Sequence, residues 1–436
     1  MGDGVVRDKG RSFWNSARRQ LAVAGAVLGV WSALLGGGAA AAEPLALEDF
    51  LSLVVERHGD VAASTARLKA SRSAAEAVAA SQRPTVGLRG EGARIFREQD
   101  GTASLYFSVQ TPIDLWGKFD RVCRQALLAY DLRAARHGEL VNTLLTTAES
   151  MYWRAVIARA DVALYESLVN QRTEDLRVVR KRHEVGSVAK LDVIRAEVQL
   201  ESTRGDLTSA RTAYADFVVS LGALAGGTPV EPLSGDLPIL TRGLSEDVGA
   251  LLDQRPDLVA LGVSRKLAQL DRELAALGMR PEISASLAYT LATDSDRMSP
   301  PEYDGALSLM VTIPLYDGGE TRSRTREKSL LEDAASDDLR AARLRAEEEL
   351  ALVRNAWDRS VSLVGTKKRE AELAGEELRI AALRYREGTG TQLDVLDAQV
   401  KEQTARKGML DAVKDMYLAT ARFQGVLGLY AERFVR

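Results

Sequence analysis

The chain has few of the residues on which disulfide frameworks and transition-metal sites are built. Its 436 residues include one cysteine, Cys123, and three histidines, at positions 58, 137 and 183. A single cysteine excludes an intrachain disulfide, and the scattered histidines provide no metal-ligand spacing. The formal net charge is −3, so no excess of basic residues indicates a nucleic-acid partner. We therefore predict no metal site, no cofactor and no nucleic-acid partner.

The motifs of common enzyme classes are also missing. The sequence contains no P-loop, no G-x-G-x-x-G after a predicted strand and no nucleophile elbow. Aromatic residues make up 6% of the chain, and there are only 11 prolines. This composition suits long helices better than a compact catalytic core. These absences predict that the protein is not an enzyme.

The N-terminal segment has the features of a secretion signal. Five basic residues precede an apolar run that begins at Leu21, and Ala40-Ala41-Ala42 stand directly before Glu43. A basic region, an apolar region and a small-residue cleavage site predict a signal peptide over residues 1–42. The run from 21 to 42 is 22 residues long, so a retained membrane anchor is the alternative interpretation.

The most informative feature that is present is a duplication. Residues 384–398 align with residues 182–196 without a gap, at an offset of 202. In each copy a glycine, Gly388 or Gly186, interrupts a long helical pattern, and a second helical segment follows. The segment 115–183 contains no proline and would form a helix roughly 100 Å long. Each break therefore predicts the tip of a long helical hairpin, at about 182–191 and 384–393, with the glycine at positive φ.

Two other segments, at about 84–112 and 281–314, have a period of two. Leu105, Phe107 and Val109, for example, alternate with more polar neighbours, which predicts strands with one apolar and one polar face. Four such strands cannot bury their apolar faces as isolated hairpins, and their length and alternation are typical of outer-membrane barrels. Even small barrels need eight strands, so closure requires several chains, and three would supply twelve. For the strands alone, a soluble sandwich is the alternative.

The order of helix, strand pair, long helix and shorter helix occurs twice, which predicts an internal repeat. Repeat 1 is expected to cover residues 43–232 and repeat 2 residues 233–429, with a C-terminal tail at 430–436. A segment rich in glycine and proline, 226–238, forms the boundary between the repeats.

Three motifs identify the sequence further: Arg384-Tyr385-Arg386-Glu387-Gly388 followed by Leu393-Asp394-Val395-Leu396-Asp397-Ala398, then Arg255-Pro256-Asp257-Leu258, and the segment 107–117. They resemble motifs of the outer-membrane efflux protein family, of which the TolC channel is typical. The resemblance implies a mostly α fold with membrane β-strands. In the family, a trimeric 12-stranded outer-membrane β-barrel continues into a long periplasmic α-helical barrel.

The resemblance also implies the setting in which such a chain works. A homotrimer in the lipid of the cell outer membrane would extend into the periplasm and dock onto a periplasmic adaptor (membrane fusion) protein. An inner-membrane pump, proton-driven or ATP-driven, would complete the assembly. The implied function is the exit duct of a tripartite efflux or type I secretion system, which passes small molecules or exported protein. A soluble periplasmic coiled-coil scaffold or adaptor protein is the alternative that the helices alone allow.

Asp394 and Asp397 are the candidate functional acids. They are three residues apart at the start of a predicted helix and therefore lie on one face. The simplest interpretation is a pair of solvated carboxylates that interact favourably with the helix dipole. In a threefold assembly, six carboxylates would converge on one axis and could bind cations. By resemblance they match the acidic rings of the family's periplasmic constriction, and Tyr385 matches a residue that braces the closed gate.

Two residues depart from the family pattern at this gate. Gly390 stands where the best-known relative has a basic bracing residue, and Arg195 of repeat 1 stands where repeat 2 has Asp397. The candidates for contact with the adaptor are the residues at the hairpin tips: Arg182, Gly186, Ser187, Leu191, Arg384, Gly388, Thr389 and Leu393. Ordinary hairpin chemistry is the alternative explanation for these tip residues.

Overall fold

The computed structural model describes residues 44–94, 101–232, 251–294 and 302–434. The predicted signal peptide lies outside the described residues. In chain order the elements are β1 (Pro44–Leu45), α1 (Leu47–Arg57), α2 (Gly59–Ser81), β2 (Thr85–Arg94), β3 (Gly101–Ile113), α3 (Lys118–Glu184), α4 (Lys190–Leu224), β4 (Glu231–Pro232), α5 (Pro256–Ala275), β5 (Glu282–Asp294), β6 (Glu302–Thr312), α6 (Glu320–Arg386), α7 (Gln392–Val426) and α8 (Leu429–Phe434).

The two copies of the long-helix pair have identical lengths. Helices α3 and α6 have 67 residues each, and α4 and α7 have 35 each. All four boundaries recur at an offset of 202. At ~1.5 Å per residue, each long helix spans roughly 100 Å. The order predicted from the sequence is therefore confirmed, and the chain turns back at 185–189 and again at 387–391.

The four longer strands form one antiparallel sheet, in the order β2-β3-β5-β6. One row of paired residues across the sheet is apolar and consists of Val86, Val109, Leu287 and Leu307. The adjacent row, on the opposite face, is polar and consists of Thr85, Gln110, Ser286 and Ser308. The predicted apolar and polar faces are therefore confirmed. The apolar face is uncovered in the single chain, where Leu88 is 70% and Leu307 is 81% exposed.

The helices pack as two antiparallel hairpins, α3 with α4 and α6 with α7, and α3 also contacts α7. The largest apolar cluster includes Phe50, Leu145, Tyr152, Leu221 and Tyr430, which come from α1, α3, α4 and α8. Burial of each such side chain contributes roughly 1.5–3 kcal/mol. Within the described parts of the chain, no helix is both long and apolar enough to cross a membrane.

A hydrogen-bonded joint connects the sheet to the helices. The carboxylate of Asp114, just after β3, accepts the N–H of Lys118 at 2.9 Å and so begins α3. The indole N–H of Trp116 donates to the carbonyl oxygen of Pro281 at 2.9 Å, and Lys118 Nζ lies 2.6 Å from Glu282 Oε1. These contacts join the strand–helix junction of repeat 1 to the start of β5 in repeat 2.

The motif that opens α5 also holds two elements together. The guanidinium group of Arg255 lies 2.9 Å from Asp257 on α5 and 3.2 Å from Glu349 on α6. Pro256 occupies the first turn of α5, where its missing N–H costs nothing. The motif thus begins the helix and fixes it against its neighbour.

Candidate functional site at the hairpin tips

Both hairpin tips close with the same turn. Gly186 and Gly388 have φ values of 73° and 79°, as the sequence predicts. The residue after each glycine donates its N–H to the carbonyl oxygen five positions earlier, at 2.8 Å in repeat 1 and 3.0 Å in repeat 2. This is the six-to-one bond of a Schellman motif. A β-carbon at either glycine would meet no atom within 4 Å, so the backbone conformation and not lack of space favours glycine.

The helices after the two turns begin differently. In repeat 2 the hydroxyl of Thr391 accepts the N–H of Asp394 at 3.2 Å, and the carboxylate of Asp394 accepts the N–H of Thr391 at 2.9 Å. These reciprocal bonds form a capping box. In repeat 1 the cap position holds Ala189, which makes no side-chain cap, and Asp192 lies 3.6 Å from Arg195. Only the second copy therefore has a helix start that is capped by side chains. In the first copy an arginine follows the acid by three residues, whereas in the second copy Asp397 follows Asp394 at that spacing.

The capping box also stabilises the ionised form of the Asp394 side chain. Hydrogen bonds from the backbone N–H of Thr391 and then from its hydroxyl lower the pKa of the Asp394 carboxyl group. The carboxylate is therefore ionised at neutral pH. Asp397 lies one turn further along α7 and is exposed, as is Asp394. The structure thus places both predicted acids at the surface near the tip of the second hairpin.

Tyr385 connects the two hairpins. The guanidinium carbon of Arg182, on α3, lies 4.6 Å from the centroid of the Tyr385 ring on α6, which is a cation–π distance. The buried hydroxyl of Tyr385 has no hydrogen-bond partner among the described residues. A second link is the side-chain amide of Gln392, which donates to the carbonyl oxygen of Asp192 at 3.1 Å. The Arg182 contact therefore depends on the ring of Tyr385 and not on its hydroxyl.

A side chain at position 390 would be crowded by the turn that precedes it. Its N–H donates to the carbonyl oxygen of Arg384 at 3.1 Å. A β-carbon at Gly390 would lie 3.1 Å from Cβ of Arg384 and 3.2 Å from the backbone nitrogen of Tyr385. Any side chain here requires the neighbouring turn to move by a few tenths of an ångström. The backbone of this tip is closed around a glycine, and no side chain at 390 is available as a brace.

Most residues predicted to contact an adaptor are exposed at the two tips. These are Gly186, Ser187, Leu191, Arg384, Gly388, Thr389 and Leu393, whereas Arg182 is half-buried. Leu191 and Leu393 are 54% and 52% exposed and occupy equivalent positions in the two repeats. Each chain therefore presents two similar tips, each with one exposed leucine in the first turn of its second helix.

A set of polar residues behind the tips was not predicted from the sequence. Arg172, Asp175, Gln392 and Gln399 line a cavity of about 310 Å³ between the hairpins. The amide of Gln399 donates to the carboxylate of Asp175 at 2.6 Å. Gln392 and Gln399 are seven residues apart, so they share one face of α7. Polar residues at this spacing, within a helix that must pack against neighbours, were the available sequence signal.

The sheet and the two hairpins together define a class of fold, in which one four-stranded antiparallel sheet continues into two long helical hairpins. The sequence matches the family described as "Outer membrane efflux protein" over residues 50–227 and 248–429. A similar protein is the pyoverdine export outer membrane protein OpmQ of Pseudomonas aeruginosa, 25% identical over 74% of this chain and 68% of that protein. Another is the outer membrane protein TolC of Vibrio cholerae, 25% identical over 60% of this chain and 62% of that protein.

Solved structures have the same fold. The crystal structure of the outer membrane protein VceC from Vibrio cholerae matches 88% of this chain and 96% of that chain, with a TM-score of 0.76 and 18% identity. The chain belongs to the outer membrane efflux protein family. It is an outer-membrane efflux channel of the kind that serves tripartite efflux and export systems, and a transporter rather than an enzyme. The family and the outer-membrane channel function predicted from the sequence are confirmed.

Proposed function

We propose that three copies of this chain form a ring in which the four-stranded sheets close a twelve-stranded barrel. The observation that carries this proposal is the pair of open sheet edges. Within the described residues β2 pairs only with β3, and β6 pairs only with β5. Because all neighbouring strands are antiparallel, β6 of one copy and β2 of the next also run antiparallel. A cyclic assembly therefore continues the pattern and leaves no exposed edge.

The apolar face of the sheet supports a lipid environment for this barrel. The four strands have 10 to 13 residues, which covers the roughly 9–11 residues that a tilted strand needs to cross a bilayer. On this proposal residues 1–42 direct export and are removed. The barrel lies in the outer membrane, and the four long helices of each copy extend into the periplasm as part of a twelve-helix tunnel.

The hairpin tips are the proposed docking surface for the periplasmic adaptor. Two nearly equivalent tips per chain give six around a threefold ring, with Leu191 and Leu393 at matching positions. An inner-membrane pump, proton-driven or ATP-driven, would deliver cargo through this contact. OpmQ is described as a pyoverdine export protein, which favours a small-molecule cargo for this chain, with exported protein as the second candidate.

Asp394, Asp397 and Tyr385 are the proposed gate. On a threefold axis the two acids of each chain form two rings of three carboxylates that attract cations. Since Asp394 also holds the capping box, Asp397 is the residue to vary when the helix start must stay intact. Tyr385 holds the second hairpin against the first through Arg182.

The assembly is tested on the full chain expressed in a Gram-negative host. We expect recovery in the outer-membrane fraction, extraction only with detergent and a native mass of three chains. In planar bilayers Asp397→Asn should weaken block by a trivalent cation, whereas Glu387→Gln, an exposed acid at the same tip, should leave it unchanged. A soluble monomer would refute the channel assembly, and equal block in wild type and Asp397→Asn would refute the gate.

A further inference from the structure

Arginines outnumber carboxylates in the lining of the cavity between the two hairpins. Residues of all four long helices line it, and its volume is about 310 Å³. Its charged lining residues are three arginines, Arg172, Arg182 and Arg386, and one carboxylate, Asp175. The rest of the wall is largely apolar and includes Val178, Val179, Ala196, Ala382, Val395 and Leu396.

Arg172 is the residue that most needs a partner in this cavity. It is 2% exposed, and none of its Nε, Nη1 and Nη2 atoms makes a hydrogen bond to a described residue. Its Nη1 is 3.9 Å from Asp175, whose carboxylate accepts the amide N–H of Gln399. Glu402 also acts on Arg172 electrostatically, but it pairs with Arg406 at 2.5 Å. Arg172 is thus a buried cation without a hydrogen-bond acceptor among the described residues, and its burial lowers the pKa of the guanidinium group.

Two further polar atoms in the same wall lack partners. The hydroxyl of Tyr385 and the side-chain oxygen of Gln392 are buried without a hydrogen bond to any described residue. The wall of the cavity thus contains one guanidinium group, one phenol and one amide oxygen that lack hydrogen-bond partners among the described residues, beside an apolar surface. A planar carboxylate can accept two parallel hydrogen bonds from guanidinium, and an apolar body suits the valine and alanine side chains.

We propose that this cavity is a binding site for a small organic carboxylate. The two carboxylate oxygens accept hydrogen bonds from Arg172, and the apolar part of the ligand lies against Val179 and Val395. The cavity volume is at the lower end of the range of ligand pockets, roughly 300–1,000 Å³. The apolar wall disfavours a hydrated inorganic anion.

Benzoate is the probe, and benzamide, which has the same shape without the charge, is the matched control ligand. Calorimetry on the full-length protein in detergent should show saturable benzoate binding, one per chain, and at least tenfold weaker binding of benzamide. Arg172→Lys should weaken benzoate binding at least tenfold, because a single ammonium group cannot form the paired bonds. Arg177→Gln, on the same helix but exposed and paired with Glu174, should bind as wild type does.

A cavity-filling variant gives a second test that keeps every charge. Ala382→Leu places extra atoms in the cavity and should weaken benzoate binding, while circular dichroism confirms an unchanged helix content. The proposal is overturned if wild type shows no saturable benzoate binding or binds benzamide equally well. Undiminished binding in both Arg172→Lys and Ala382→Leu also overturns it. None of these measurements requires the gate to open, so the outcome is independent of the proposed gate.

Discussion

The contact between Arg182 and Tyr385 should control how readily the two hairpins separate near their tips. It joins two helices that are far apart in sequence, α3 and α6. The guanidinium carbon of Arg182 lies 4.6 Å from the centroid of the Tyr385 ring. Replacing Arg182 by Gln removes the cation and retains a polar side chain of similar length. If separation of the hairpins opens the channel, Arg182→Gln shifts the equilibrium towards the open state.

The size of this shift follows from the environment of the pair. Cation–π contacts contribute about 0.5–1 kcal/mol at exposed sites and about 2 kcal/mol when desolvated. Both side chains are half-buried, so about 1 kcal/mol per chain is expected. That value changes the closed-to-open ratio of one chain roughly fivefold. For three chains that open together the effects multiply, to about 3 kcal/mol and roughly 150-fold.

The assay is the open probability of single channels in planar bilayers. Arg180→Gln is the matched control, because Arg180 lies on the same helix and pairs with Glu197 of its own hairpin at 2.6 Å. It should leave the open probability unchanged. At Tyr385 the ring and the hydroxyl can be separated: Tyr385→Leu should open the channel as Arg182→Gln does, whereas Tyr385→Phe should not, since the hydroxyl has no partner among the described residues.

Two results would refute this reasoning. One is equal open probability in Arg182→Gln, Arg180→Gln and wild type, which would mean that the contact carries no energy in the closed state. The other is an open channel in Tyr385→Phe, which would mean that a hydrogen bond of the hydroxyl, and not the ring, holds the hairpins together.

Three further predictions concern the tips and the sheet. Thr391→Ala removes the N-cap of α7 and should destabilise the start of this helix by about 1 kcal/mol. Amide hydrogen exchange in the first turn of α7 should become faster, and an unchanged exchange rate would contradict this prediction. Gly388→Ala places a side chain at φ 79° and should lower the free energy of unfolding by about 1–2 kcal/mol. Gly375 lies inside α6, and a β-carbon there would meet no atom within 4 Å, so Gly375→Ala should raise the free energy of unfolding by about 0.5–1 kcal/mol. Chemical denaturation measures both variants, and a more stable Gly388→Ala than Gly375→Ala would contradict the argument. Leu307→Lys places a charge on the apolar face of the sheet, which should destabilise the barrel by roughly 2–4 kcal/mol if the residue lies at the bilayer midplane. The yield of protein in the membrane fraction should therefore fall for Leu307→Lys but not for Ser308→Lys. Equal yields would count against lipid contact.

The features that were predicted correctly depend on short-range rules. Gly186 and Gly388 were expected at positive φ because each interrupts a helical pattern, and a left-handed residue at a helix end is commonly glycine. The two faces of the sheet followed from alternation within each strand. The equal lengths of the hairpins followed from the constant offset between the copies. None of these inferences required knowledge of which distant residues meet.

The features that were not predicted depend on contacts between distant segments. Pairing of β3 with β5, which merges two predicted strand pairs into one sheet, joins residues of different repeats. The stacking of Arg182 on Tyr385 and the burial of Arg172 likewise arise from the packing of one hairpin on the other. Arg182, a predicted contact residue for the adaptor, is half-buried, and its guanidinium group lies over the ring of Tyr385 on the neighbouring hairpin.

The sequence by itself determined the repeat, the long helices, the turns at the tips and the amphipathic strands, because local backbone preferences and side-chain periodicity act over a few residues. Its motifs also determined the family. Only the tertiary structure decided that a ring and a guanidinium group join the hairpins, and that a buried arginine lines a cavity between them. These depend on how two 67-residue helices, 202 positions apart along the chain, come into register in space, and no pattern within either helix specifies that register.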